Sequence, residues 1–471
     1  MTSNTGHRLR NQYVYLAIIT VAAAVLRLYR LTAHGLTLDE GYSAHLGQTS
    51  TAGFVATVWN SEFNMVLYYA LLRAWMHIGH SEFVIRLLGV LFAVATVPAS
   101  YFLACRLFHR EWTPLLAAML LAIHPFHVAL SRDARSYSLV VLLVTLASLY
   151  FLRLLQSPSR VNCTSYALIC AAAVYSHFFA LLVVASHTAA LLFYPNRPPW
   201  KCLLIALLVS IVLLLPLAAF LLHHGEAGHV SWVAPLHSQQ VADVLYSLTL
   251  SRRRSLTYIA LWIAALFAAV SSTREEAWPY RFTAIWLFIP ILITLLISIG
   301  RPLFVSRFLA ICIPAGVLLA ASGVIVISRW SRYASLAILA LTVFYSSSNI
   351  RHYFQRPEYT ETWREASAYL LSRAQPGDEV VVLPGTGPPF EYYLERNSKS
   401  LLQLRILPSG ADAKRMSLPQ NVWFLGSLTL TPKLASETEA FAQAYRGQYC
   451  PEPPQPAPGS VQVWQFRMCA K

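Results

Sequence analysis

Apolar residues in this chain come in long unbroken runs, without the period of a surface helix or a half-buried strand. Runs of about 17–25 residues are long enough to cross a bilayer as helices. They fall near 12–31, 86–105, 112–126, 138–155, 163–177, 178–195, 202–222, 255–272, 282–300, 307–328 and 333–350, which predicts eleven spans. Alternate connections are basic: Arg8/Arg10, Arg106/Arg110, Arg153/Arg160, Arg197/Lys201, Arg274/Arg281 and Arg329/Arg332. The positive-inside rule puts these on the inner side together with the N-terminus. No small-residue cleavage site follows the first run, so it is expected to remain as an uncleaved span. An odd number of spans then carries residues 351–471 to the outer side.

The pattern changes near Arg351. The stretch RPEYTETWREASAYLLSRA reads as a helix, EVVVLP, NVWFLG and VQVWQF read as strands, and a helix is expected around 434–446. The segment QYCPEPPQPAPGS has the composition of a loop or polyproline stretch. The expected fold is therefore a polytopic α-helical membrane module over 1–350, with an outer loop at 32–85, followed by a small extracytoplasmic α/β domain over 351–471. No repeat period suggests a solenoid or a duplicated transporter.

Composition supports this division. Charged residues make up 12% of the chain, against about 25% in ordinary soluble domains. The net charge of +15 is not a nucleic-acid footprint, because the basic residues before position 350 sit mostly at the ends of apolar runs. Membrane lipids are the expected neighbours. The seven cysteines show no CxxC or Cys/His spacing, so no metal is assigned and no cofactor is indicated. Cys105, Cys163, Cys170, Cys202 and Cys312 read as small buried hydrophobes. Cys450 and Cys469 bracket the Pro-rich segment, where an oxidising compartment would allow a disulfide. His177, His223, His224 and His229 match no ligand spacing and read as structural.

The outer connections carry the candidate chemistry, because charge at the hydrocarbon edge is costly and usually marks a site. Asp39 and Glu40 follow the first span, and Glu62 lies in the same loop. The segment IHPFHVALSRDARSYSL gathers His124, Arg132, Asp133, Arg135 and Tyr137, while GRPLFVSR places Arg301 and Arg307 at either end of an outer turn. Arginine suits phosphate oxygens because its guanidinium forks around them. Arg252–Arg254 form a further basic cluster that anionic lipid would satisfy.

Taken in order, LRLYRLTAHGLTLDEGYSAHLG, SEFNMVLYYALLRAWMHIGHSEFVIRLLGVLFAV, HPFHVALSRDARSYSL, RPLFVSRFLA and ETWREASAYLLSRAQPGDEVVVLP resemble the glycosyltransferase family 39-like proteins. These are membrane enzymes of the GT-C class, related to protein O-mannosyltransferases and to the aminoarabinose transferase of lipid A. The resemblance implies a GT-C-like fold, a polyprenyl-phosphate-linked sugar donor, an active site on the outer face of a plasma (bacterial inner) membrane, and a lipid, glycan or protein acceptor. It implies Asp39 as the catalytic carboxylate with Glu40 beside it, and Arg132, Arg135, Tyr137, Arg301 and Arg307 near the donor phosphate. Glu62, Asp133 and His124 are the expected acceptor or sugar contacts. The chain departs from the family at Glu62-Phe63-Asn64-Met65-Val66-Leu67, where the relatives' two prolines and the aminoarabinose transferase's lysine are missing.

These residue types match a simple mechanism. Arginines neutralise the departing phosphate, Asp39 takes the acceptor's proton, and direct displacement inverts the anomeric centre. Two rival readings are a flippase or transporter for an isoprenoid-linked sugar and a non-catalytic assembly subunit. The tail is read either as presenting the acceptor or as a scaffold covering the outer cavity.

Overall fold

The computed structural model describes residues 2–108, 111–224, 233, 235–355, 361–375, 377–383, 386–396, 403–406, 421–427, 449–451 and 461–468, with single positions at 436, 440 and 443. The chain divides into two compact units. The helical unit comprises Met1–Tyr29, Val55–Leu71 and Arg86–Gln355; the sheet unit comprises Arg30–Phe54, Leu72–Ile85 and Arg356–Lys471.

In the helical unit a helix lies within every predicted span. Among the described residues, seven are long and apolar enough to cross a membrane: Arg10–Leu28, Glu82–Leu107, Tyr137–Gln156, Arg252–Ser271, Arg274–Ser298, Phe308–Ser328 and Arg332–Gln355. Two bent pairs, Thr113–Ala122 with Pro125–Ser131 (56°) and Trp200–Leu213 with Leu215–His224 (46°), raise the number to nine, against the eleven expected. A proline sits within the first two residues of the second helix in each pair, Pro125 and Pro216, where the missing N–H and the ring oppose a straight continuation. The runs at 163–177 and 178–195 become the 17-residue helix Arg160–Ser176 and the short helix Ala180–Ala190.

Phe308–Ser328 is apolar on all sides and lies almost wholly inside the unit, as such a helix must. A Cβ added at Gly323 would collide with the Leu261 carbonyl, so this helix crosses Arg252–Ser271 backbone against backbone. Arg10–Leu28 and Arg332–Gln355 instead expose Ile18, Val21, Val25, Leu336 and Phe344, surfaces suited to lipid. One cysteine expectation is corrected. Cys163 and Cys202 are joined as a disulfide, because the starts of Arg160–Ser176 and Trp200–Leu213 pack side by side; these starts carry Arg160 and Lys201, on the side that the charge pattern makes inner, where a reducing compartment would keep the pair as adjacent thiols. Cys170 and Cys312 are buried thiols, while Cys105 is exposed.

The sheet unit contains β1 (Glu379–Val382), β2 (Gln403–Ile406), β3 (Asn421–Ser427), β4 (Tyr449–Pro451) and β5 (Val461–Met468). Their order is β2-β1-β3-β5-β4, with β1 parallel to β2 and β3, and β5 antiparallel to β3 and β4. Val380, Val381 and Val382 are fully buried, the signature of a central strand covered on both faces. The residues of the 434–446 helix that are described, 436, 440 and 443, are helical. The pairing of Cys450 with Cys469 lies outside the described residues.

The helix Leu38–Gln48 belongs to this unit and packs on Gly387–Arg396. Gly41 permits the contact, since a Cβ there would lie 2.6 Å from Pro389 Cα. His45 Nδ1 reaches Glu391 at 2.9 Å across the same pair of helices.

Candidate active site

In the sheet unit, Asp39 and Glu40 occupy the first turn of Leu38–Gln48, where helical N–H groups favour negative charge. Thr37 caps this helix in a reciprocal box: its hydroxyl accepts from the Glu40 N–H (3.3 Å), and Glu40 Oε2 accepts from the Thr37 N–H (3.0 Å). Glu40 is thereby spent on structure and is buried, whereas Asp39 remains half-buried. The adjacent carboxylates part company because neighbouring helical positions point about 100° apart, at 3.6 residues per turn.

A third carboxylate reaches the same turn. Glu361 Oε2 accepts from the Leu38 N–H (2.5 Å) and from the indole Nε1–H of fully buried Trp363 (2.7 Å). Burial is the main cause that pushes its pKa up to about 7, and the charges of Asp39 and Glu40 add to it. Glu82, also buried, accepts from the Tyr393 hydroxyl (2.7 Å) and lies 3.4 Å from Arg364 Nε.

In the helical unit, the arginine motifs converge on a small set of side chains. Val58–Glu62 is a π-helical turn followed by the 3₁₀ turn Phe63–Met65, a local change of winding that re-aims Glu62. Glu62 accepts from the Tyr69 hydroxyl (3.1 Å), which in turn accepts from Arg135 Nη1 (2.9 Å). Arg307 lies over the Tyr137 ring with 6.0 Å to the centroid, and Tyr137 sits 6.1 Å from His177. Both Arg135 and Arg307 are close enough to act electrostatically on His177. Asn64 Oδ1 accepts from the Phe178 N–H (2.9 Å), fastening the Glu62 turn to the loop that carries His177.

His177 is the residue that sequence reasoning undervalued. Its Nδ1 accepts from the Phe179 N–H (3.3 Å), so in the neutral ring Nε2 carries the hydrogen. Nε2 is buried with no hydrogen-bond partner among the described residues, and an unsatisfied buried donor calls for an explanation. Only its position in space, next to two arginines far apart in sequence, reveals it.

The other predicted residues are placed differently. Arg132 is buried; it donates to the Arg27 carbonyl (3.1 Å) and the Tyr29 carbonyl (2.5 Å) and lies over Phe354 at 4.9 Å. It ties together the ends of helices Arg10–Leu28 and Arg332–Gln355. His124 is fully buried, with Nδ1 accepting from the His127 N–H and Nε2 against the Leu248 carbonyl, and so caps Pro125–Ser131. Asp133 is half-buried next to Arg132, and Arg301 is exposed after the end of Arg274–Ser298.

Residues 63–223 match the sequence model of the dolichyl-phosphate-mannose-protein mannosyltransferase family. A comparison with curated proteins gave no match. Among solved structures, the chain is similar to ArnT from Cupriavidus metallidurans bound to undecaprenyl phosphate, with a TM-score of 0.62 and 13% identity over 96% of this chain and 97% of that one. It is also similar to the Archaeoglobus fulgidus oligosaccharyltransferase in its apo form (TM-score 0.57, 12% identity, 93% of this chain and 72% of that one). The mycobacterial arabinofuranosyltransferase AftD gives a TM-score of 0.56 at 13% identity, over 97% of this chain and 40% of that one. The chain is thus a multi-pass membrane protein with the fold of the GT-C glycosyltransferases, and over 63–223 it carries the sequence pattern of the dolichyl-phosphate-mannose-protein mannosyltransferase family.

Proposed function

We propose that this protein is an integral membrane glycosyltransferase that moves a sugar from a polyprenyl-phosphate donor to an acceptor hydroxyl on the outer face of the membrane, with inversion. The observation that carries the reading is the cluster of Arg135, Arg307, Tyr137 and His177 in a chain whose fold is shared along nearly its whole length with a protein holding undecaprenyl phosphate. Two guanidinium groups and a neutral N–H donor make a fitting receptor for a phosphate whose charge grows as the sugar–oxygen bond breaks.

In this mechanism Arg135 and Arg307 stabilise the departing polyprenyl phosphate, and the His177 Nε2–H supplies a further donor. Glu62, through Tyr69, holds Arg135 in orientation. The acceptor hydroxyl attacks the anomeric carbon as Asp39 takes its proton, a general-base contribution of about 10²–10⁴-fold. The leaving phosphate keeps the electron pair of the broken C–O bond and needs no general acid.

The test is transfer from labelled polyprenyl-phosphate sugars by purified protein in lipid vesicles, scored for glycosylated product and for movement of the donor across the bilayer. Product formation without net movement supports the transferase. Movement without product supports the flippase reading.

A further inference from the structure

We propose that Glu361 is a positioning residue for the proton-accepting step: it ties down the first turn of Leu38–Gln48 and, through its charge, sets how strongly Asp39 acts as a base. This rests on the reading of Asp39 as the base. One oxygen of Glu361, Oε2, receives both the Leu38 N–H at 2.5 Å and the Trp363 indole N–H at 2.7 Å. Leu38 immediately precedes Asp39, so this bond fixes the backbone from which the Asp39 side chain departs. The Thr37–Glu40 box fixes the same turn from the other side. Ser43 adds a bond from its hydroxyl to the Asp39 carbonyl at 3.0 Å. The segment before Trp363 thus contributes to the candidate base although it lies more than 300 residues away in sequence.

The position is an expensive one for a carboxylate. Glu361 is sheltered from water and close enough to Asp39 and Glu40, on the helix it braces, to feel their charge, while the Trp363 indole that it accepts from is uncharged. Arg364, the next basic side chain along, is engaged by Glu82 (3.4 Å) and by the Thr32 carbonyl (3.4 and 3.3 Å). The folded-state pKa of Glu361 is raised from 4.5 to about 7, so ionising it costs stability as pH climbs through that interval. A glutamine could accept the same two N–H bonds without that cost. Retaining an ionisable group there makes sense if the charge is used: an anion beside Asp39 disfavours the ionised form of Asp39 and makes it a better proton acceptor.

The sign follows. Below about pH 7 Glu361 is protonated, its electrostatic support for Asp39 is gone, and transfer is slow; above it the anion is present and transfer is faster. Wild type should therefore show a rising limb in kcat centred near pH 7 with little change in donor KM. Glu361→Gln should flatten that limb, holding kcat near the wild-type acidic plateau, about threefold to tenfold below the alkaline one. Glu361→Ala, which also loses the tether, should lower kcat by about tenfold to a hundredfold at every pH. Hydrogen exchange of a peptide covering 36–46 supplies a readout independent of activity. Its protection should fall in Glu361→Ala and stay near wild type in Glu361→Gln, both compared at one pH. A wild-type limb retained in Glu361→Gln overturns the charge role. Unchanged protection in Glu361→Ala overturns the tether. If wild type transfers no sugar, the transferase reading fails by itself, and the exchange experiment still decides the tether.

Discussion

Arg135 and Arg307 make the most specific demand on function, because, although far apart in sequence, they stand next to the same buried imidazole. Losing a hydrogen bond to a charged group costs about 1.5–3 kcal/mol. Arg135→Ala and Arg307→Ala should each lower kcat/KM for the polyprenyl-phosphate donor by roughly tenfold to a hundredfold. Arg132→Ala should instead lower thermal stability, since its bonds go to the Arg27 and Tyr29 carbonyls. Kinetics alongside melting curves separates the two classes. The sequence exposed Arg135, Tyr137 and Arg307 as candidates, because charges at the end of an apolar run stand out. It could not distinguish Arg132 from Arg135, three residues apart, since that depends on which carbonyls each meets. The sequence offered His177 only as a structural histidine and gave no sign of Glu361, for a related reason: the roles of both come from groups distant in the chain.

Helix Leu38–Gln48 is the element on which the proposed chemistry turns, and its start is overdetermined by Thr37, Glu40 and Glu361. Thr37→Ala should cost about 1 kcal/mol through the lost cap. Gly41→Ala should cost about 1–3 kcal/mol because the new methyl meets Pro389, seen as a lowered unfolding midpoint of the sheet unit. Among the membrane helices, Gly323→Val should be worse tolerated than Gly316→Ala. The former drives side-chain atoms into the Leu261 backbone, while the latter meets side chains alone, the Trp262 ring edge at 3.1 Å and Leu287 Cδ1 at 3.7 Å. Apolar length alone located these helices. It did not reveal the bends before Pro125 and near Pro216, because hydropathy sums over a proline without registering the lost hydrogen bond. EVVVLP, NVWFLG and VQVWQF became β1, β3 and β5, yet their order and β2 were not legible, since strand neighbours are chosen by long-range pairing.

Across the molecule, the chain is built from a helical unit and a sheet unit, and the latter draws residues 30–54 and 72–85 together with the tail. The charge pattern predicts that the sheet unit is outside. In a background with Cys105, Cys450 and Cys469 replaced by serine, Gln375→Cys should react with an impermeant maleimide in intact cells, and Ser157→Cys only after permeabilisation. The reverse pattern would invert the proposed topology and remove the outer-face reaction. The most direct test of the proposed chemistry is sugar transfer from a polyprenyl-phosphate donor by purified wild type and by Asp39→Asn, with donor binding measured in both. Transfer by wild type that falls at least about a hundredfold in Asp39→Asn while donor affinity is unchanged is the predicted result. Equal transfer by the two proteins would contradict Asp39 as the base.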